Sequence, residues 1–113
     1  MLRLSRKADV DLNTRLVTSI YLSEAEFSVL AVALKGARIQ KLRHRLHGPT
    51  GISMLVDEFQ GPLAGLLLAE AEFNTADALA DFPMPTFAIR EVTEDSRYSG
   101  GKLAVDGLPQ DQR

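Results

Sequence analysis

A chain of 113 residues, 45% hydrophobic and 25% charged, has ordinary globular composition and material for one domain but not two. It contains no cysteine, which excludes disulfides, thiolate metal sites and a cysteine nucleophile, and suits a reducing compartment such as the cytoplasm. The net charge of −2 is divided: residues 1–47 carry nine Lys/Arg against four Asp/Glu, a net of +5, and residues 48–113 carry four against eleven, a net of −7. Such a split either draws two halves of a fold together or equips one site to hold an anion beside its counter-cation. His44 and His47 are the only imidazoles. The chain is therefore poor in zinc ligands and rich in oxygen ligands for Mg²⁺, Mn²⁺ or Ca²⁺. The basic amino terminus runs into Ala8-Asp9-Val10-Asp11, unlike a signal peptide, and no apolar run approaches membrane-spanning length.

In chain order, Leu2 to Lys7 alternates as a strand with Arg3, Ser5 and Lys7 on one face. An Asp- and Asn-rich turn follows, and Thr14 to Leu22 resumes as a second strand, completing a hairpin. Its Leu16, Thr18, Ile20 and Leu22 make the more apolar face, which should meet a packed layer; Arg15, Val17, Ser19 and Tyr21 make the other. Ser23 with Glu26 forms a capping box ahead of Phe27, Leu30, Ala31 and Leu34, so a helix is expected over Glu24–Leu34, ended by Gly36.

Ile39 to Leu46 places Lys41, Arg43 and Arg45 at period two, so a strand lines up three cations. The plainer reading is a solvated edge strand whose charges discourage aggregation. A nucleic-acid surface is disfavoured, because aromatic residues are not interleaved and the whole chain is acidic. After a loop at residues 47–51, Ile52 to Phe59 reads as a strand carrying Ser53, Leu55, Asp57 and Phe59 on one face. Gln60-Gly61-Pro62 turns the chain into a further strand, Leu66 to Phe73, paired antiparallel with it.

That last strand ends in Glu70 and Glu72, on the same face as Leu66 and Leu68, with Asp57 able to face the pair. Carboxylates placed on a partly apolar face need cations, a metal ion or a water-filled interior. A short helix, or an ordinary wet strand end, is the alternative. Asn74 to Ala80 suggests a short helix stopped by Pro83 and Pro85; Lys102-Leu103-Ala104 suggests a short turn; and residues 107–113 suggest a disordered tail.

Four segments in this order resemble the CYTH family, the triphosphate tunnel metalloenzymes. They are Lys41-Leu42-Arg43-His44; Val56-Asp57-Glu58-Phe59-Gln60-Gly61 with Leu63-Ala64-Gly65-Leu66; Leu68-Ala69-Glu70-Ala71-Glu72-Phe73; and Arg90-Glu91-Val92-Thr93-Glu94-Asp95-Ser96-Arg97-Tyr98. The resemblance implies an α+β fold with an antiparallel β-tunnel or barrel over residues 1–106 and helices packed outside. It implies binding of a triphosphate-containing small molecule with Mg²⁺ or Mn²⁺, and triphosphatase activity if the site is competent. By the same resemblance Asp57, Glu70 and Glu72 are metal ligands, and Lys7, Arg15, Lys41, Arg43, Arg45, Arg97 and Lys102 bind phosphate.

The family's Glu-x-Glu-x-Lys opening strand is missing, and Leu55, Val17 and Ser19 stand where it often has acidic residues. The implied tunnel is thus incomplete at its amino-terminal side, and a homodimer is expected to cover the open edge. No membrane or nucleic-acid partner is expected. A non-catalytic polyphosphate- or nucleotide-binding module and a purely structural domain are the competing readings.

Overall fold

The computed structural model describes residues 1–47 and 52–112. The chain divides into two compact units, Met1–Ala37 and Arg38–Arg113. Among the described residues no helix is long and apolar enough to cross a membrane.

In the first unit, β1 (Leu2–Asp9) and β2 (Arg15–Leu22) pair antiparallel in a register running from Leu2 opposite Leu22 to Asp9 opposite Arg15. The turn closes through Val10 N–H donating to the Thr14 carbonyl (2.9 Å) and Asn13 N–H donating to the Asp11 carboxylate (2.8 Å), the local bonding that favours Asp and Asn in turns. Helix α1 (Glu24–Ala33) starts at the expected capping box, with Ser23 Oγ accepting from Glu26 N–H and Glu26 Oε1 from Ser23 N–H. Phe27, Leu30, Ala31 and Leu34 border a shallow hollow with Leu4 and Leu22, which places the helix against one end of the hairpin. Leu16 and Ile20, on the face of β2 expected to meet a packed layer, are 64% and 55% exposed among the described residues. Gly36 does not stop the helix, whose C-cap is Leu34, donating to the Leu30 carbonyl.

In the second unit, β3 (Lys41–His47), β4 (Ser53–Phe59) and β5 (Leu67–Ala71) form one antiparallel sheet in that order. Most of the loop expected at residues 47–51 lies outside the described residues. The β4–β5 connection contains a 3₁₀ turn, Gly61–Leu63, and its Gly61 (φ 62°) and, past the turn, Gly65 (φ 98°) adopt left-handed backbone that side chains disfavour. Helix α2 (Ala76–Ala80) is capped by the Thr75 hydroxyl.

Where a short turn was expected near Lys102, the chain forms helix α3 (Gly100–Asp106) after a 3₁₀ turn, Ser96–Tyr98. Paired glycines at its start mask the helix in the sequence, while Ser99 as N-cap and Gly107 (φ 77°) just beyond its end define it. The core gathers Phe59, Leu63, Leu66, Tyr98 and Leu103, with Ile39, Leu68, Val92 and Leu108 packed around them. Past α3, Leu108 packs against this core and Asp111 is ion-paired with Arg90.

The fold is α+β with antiparallel sheets, as expected. The sheets have two and three strands and neither closes on itself.

Candidate functional site

Pairing in the three-stranded sheet decides which side chains share a face. Arg43 lies opposite Asp57, Arg45 opposite Leu55 and Lys41 opposite Phe59 on β4; Asp57 lies opposite Leu68 and Leu55 opposite Glu70 on β5. One face thus carries Lys41, Arg43, Arg45, Asp57 and Glu70, while Leu42, His44, Val56, Glu58 and Ala69 point the other way. The register of the two strand pairs brings the basic row and the first glutamate to one face. Glu72 is the first residue past the β5 end; its carboxylate and that of Glu70 both help raise the Arg43 pKa.

Asp57 is at the centre of this face and is only 2% exposed. Arg43 approaches it in a fork, donating from Nε to Oδ1 (2.7 Å) and from Nη2 to Oδ2 (2.9 Å), and Lys41 Nζ donates to Oδ2 at 2.7 Å. These bonds, Arg43's foremost, outweigh the desolvation that burial imposes and hold the Asp57 carboxyl at about 2. Asp57 in turn raises Arg43 above its ordinary value. Lys41 also sits 5.5 Å from the ring centre of its cross-strand partner Phe59, a core residue on the same face, which supports its ammonium.

Arg45 carries no ion-pair partner among the described residues, and neither does Glu70 or Glu72. The carboxylate oxygens of the glutamate pair therefore remain available, and hard oxygen donors two residues apart suit Mg²⁺ or Mn²⁺. Asp57 differs from them in that both its oxygens already accept from cations. Among the described residues no three Asp, Glu or His side chains are grouped so as to hold a metal ion.

The other basic residues named from the sequence belong to other elements. Arg15 is paired with Asp9 (2.8 Å), and Lys7 sits on the same face of the hairpin, both in the first unit. Arg97 is bound to Asp95 (2.6 Å) and reaches Asp111 (3.3 Å), and Lys102 lies exposed on α3.

A cluster of which the sequence reading gave a role only to Arg97 surrounds Tyr98. Arg90 donates to the Tyr98 hydroxyl (2.6 Å) and pairs with Asp111 (2.8 Å), and the Arg90 and Arg97 guanidiniums lie 5.6 and 5.8 Å from the Tyr98 ring centre. Asp111 could not be found from periodicity, because it sits in a polar stretch with none.

No protein-family model matches the chain. It is 37% identical over 86 residues to the inorganic triphosphatase of Nitrosomonas europaea, a match covering 76% of this chain and 57% of that protein. It is 40% identical over 65 residues to the inorganic triphosphatase of Acetivibrio thermocellus, covering 58% of this chain and 40% of that one. The crystal structure of the inorganic triphosphatase NE1496 superposes with a TM-score of 0.63 at 36% identity, over 79% of this chain and 61% of that chain. The chain thus spans about half the length of the curated relatives it matches. In sequence and in fold alike, what it is similar to is part of an inorganic triphosphatase.

Proposed function

We propose that this chain is a CYTH-type domain that binds the triphosphate group of inorganic triphosphate or a related compound and hydrolyses it with a divalent metal ion. The observation that carries this reading is the common face holding Lys41, Arg43, Arg45 and Glu70, with Glu72 at its edge. A triphosphate needs both kinds of group together: fixed cations for its oxygens, and carboxylates for the counter-ion that accompanies it.

Lys41 has ammonium protons left after its bond to Asp57, and Arg43 keeps Nη1 without a partner among the described residues. These donors and Arg45 would bind phosphate oxygens and stabilise charge as it develops on the transferring phosphoryl group. Glu70 and Glu72 would hold Mg²⁺ or Mn²⁺, which when bound polarises a phosphoryl oxygen and neutralises charge. A second copy that covers the open sheet edges belongs to this same reading.

A second reading, a module that binds the phosphate chain without turning it over, is favoured by one feature. Leu55, apolar and buried, occupies the site face between Arg45 and Glu70, where a further carboxylate would be placed to complete a metal site.

Phosphate release from inorganic tripolyphosphate, measured with and without Mg²⁺ or Mn²⁺, separates the two. Hydrolysis that needs metal and is lost in Glu70→Gln and Glu72→Gln supports the first reading. Binding without release by any metal supports the second, and neither binding nor release sinks both.

A further inference from the structure

The resemblance to the family assigns Asp57 to the metal, but its surroundings are those of a counter-ion for the basic row. We infer that Asp57 is a positioning residue that fixes Lys41 and Arg43 for phosphate oxygens, and that the metal-holding part of this face is confined to Glu70 and Glu72. The inference rests on the triphosphate reading for its ligand but not for its geometry.

Three hydrogen bonds of 2.7 to 2.9 Å converge on one carboxylate that is 2% exposed, while the side chains of Lys41 and Arg43 are 35% and 40% exposed. The carboxylate is therefore at the base of the arrangement and the two cations are the part that faces outward. Both Asp57 oxygens accept from Lys41 or Arg43, so a metal ion ligated there would have its charge beside theirs. Long, flexible basic side chains lose considerable rotamer entropy when a ligand orders them. Here the fork of Arg43 is already immobilised by Nε and Nη2, so less ordering is left to the binding step.

Two opposing effects give the test its sign. Replacing Asp57 by Asn adds one unit of positive charge to the face, which by simple attraction would tighten binding of a polyanion. If Asp57 positions the row, binding weakens in spite of that gain.

The test uses the full chain and its Asp57→Asn, Asp57→Glu and Glu70→Gln variants, each checked for folding by circular dichroism. Titration with inorganic tripolyphosphate in metal-free buffer should show affinity falling about tenfold in Asp57→Asn and recovering in part in Asp57→Glu, which restores the charge. Titration with Mn²⁺ alone, followed by the resonance of the free ion, should show the affinity of Asp57→Asn within about twofold of wild type while Glu70→Gln weakens it by more. The ¹H–¹⁵N signal of Arg43 Nε–H should exchange slowly with solvent in wild type and rapidly in Asp57→Asn.

Tripolyphosphate affinity that is unchanged or tighter in folded Asp57→Asn overturns the inference, as does a loss of Mn²⁺ affinity equal to that in Glu70→Gln. Should Asp57→Asn not fold, Asp57→Glu decides alone: weaker tripolyphosphate binding with Mn²⁺ binding intact supports positioning, and the reverse pattern refutes it. If wild type binds no tripolyphosphate, the triphosphate reading fails, while the Nε–H and Mn²⁺ results still decide what Asp57 does.

Discussion

Burying Asp57 between two cations makes part of the stability of the second unit depend on pH in a defined direction. Its carboxyl is depressed from 3.8 to about 2, so the ion pairs contribute fully above about pH 4 and their contribution is lost as pH falls through about 2. A shift of this size corresponds to about 2 kcal/mol as an upper figure, because Lys41 and Arg43 are partly solvated. The difference in thermal midpoint between wild type and Asp57→Asn should therefore shrink as pH is lowered from about 4 to 2 and stay constant above pH 5. An unchanging difference over that range would mean that the buried carboxylate is not held as its geometry indicates. Period two was enough to line up Lys41, Arg43 and Arg45 on one face of their strand from sequence alone, whereas bringing Glu70 to that face takes the register of both strand pairs. That the cations would close on Asp57 was not legible, since it depends on register: Arg43 lies directly opposite Asp57, and Glu70 is set one step along, opposite Leu55.

Among the elements, α1 was readable because its start is marked by chemistry as well as by spacing. The Ser23 hydroxyl accepts from Glu26 N–H at 3.1 Å and the Glu26 carboxylate accepts from Ser23 N–H at 2.9 Å. Ser23→Ala should destabilise the first unit by about 1 kcal/mol, seen as a lower thermal midpoint, with no effect on tripolyphosphate binding. An unaltered midpoint would show that the helix is held by its contacts with the hairpin and not by its cap. Helix α3 escaped sequence reading because its first two residues are glycine, poor helix formers, and its support is tertiary: Leu103, 1% exposed, inserts into the core beside Phe59 and Tyr98. Leu103→Ala should accordingly destabilise the second unit by roughly 2 to 4 kcal/mol, measured by urea denaturation. A loss below about 1 kcal/mol would mean that α3 contributes little to that core.

For the molecule as a whole, two open sheets leave rows of backbone donors and acceptors at their edges, and a second copy is one way to cover them. The expected outcome is a dimer in sedimentation velocity across a concentration series; a monomer at every concentration would leave the edges to be covered by other means. The central claim, that the cationic face of the second unit receives a triphosphate, is best tested through Arg45. It shares the face with Arg43 but has no ion-pair partner among the described residues, so Arg45→Gln removes a charge without stranding a buried carboxylate. The direct measurement is calorimetric titration of inorganic tripolyphosphate into wild type and Arg45→Gln at low salt. Saturable binding by wild type, weakened about tenfold in a variant that unfolds at the same temperature, is the result expected of a charge-assisted contact. Equal affinities in the two proteins, or no binding by wild type, would contradict the claim.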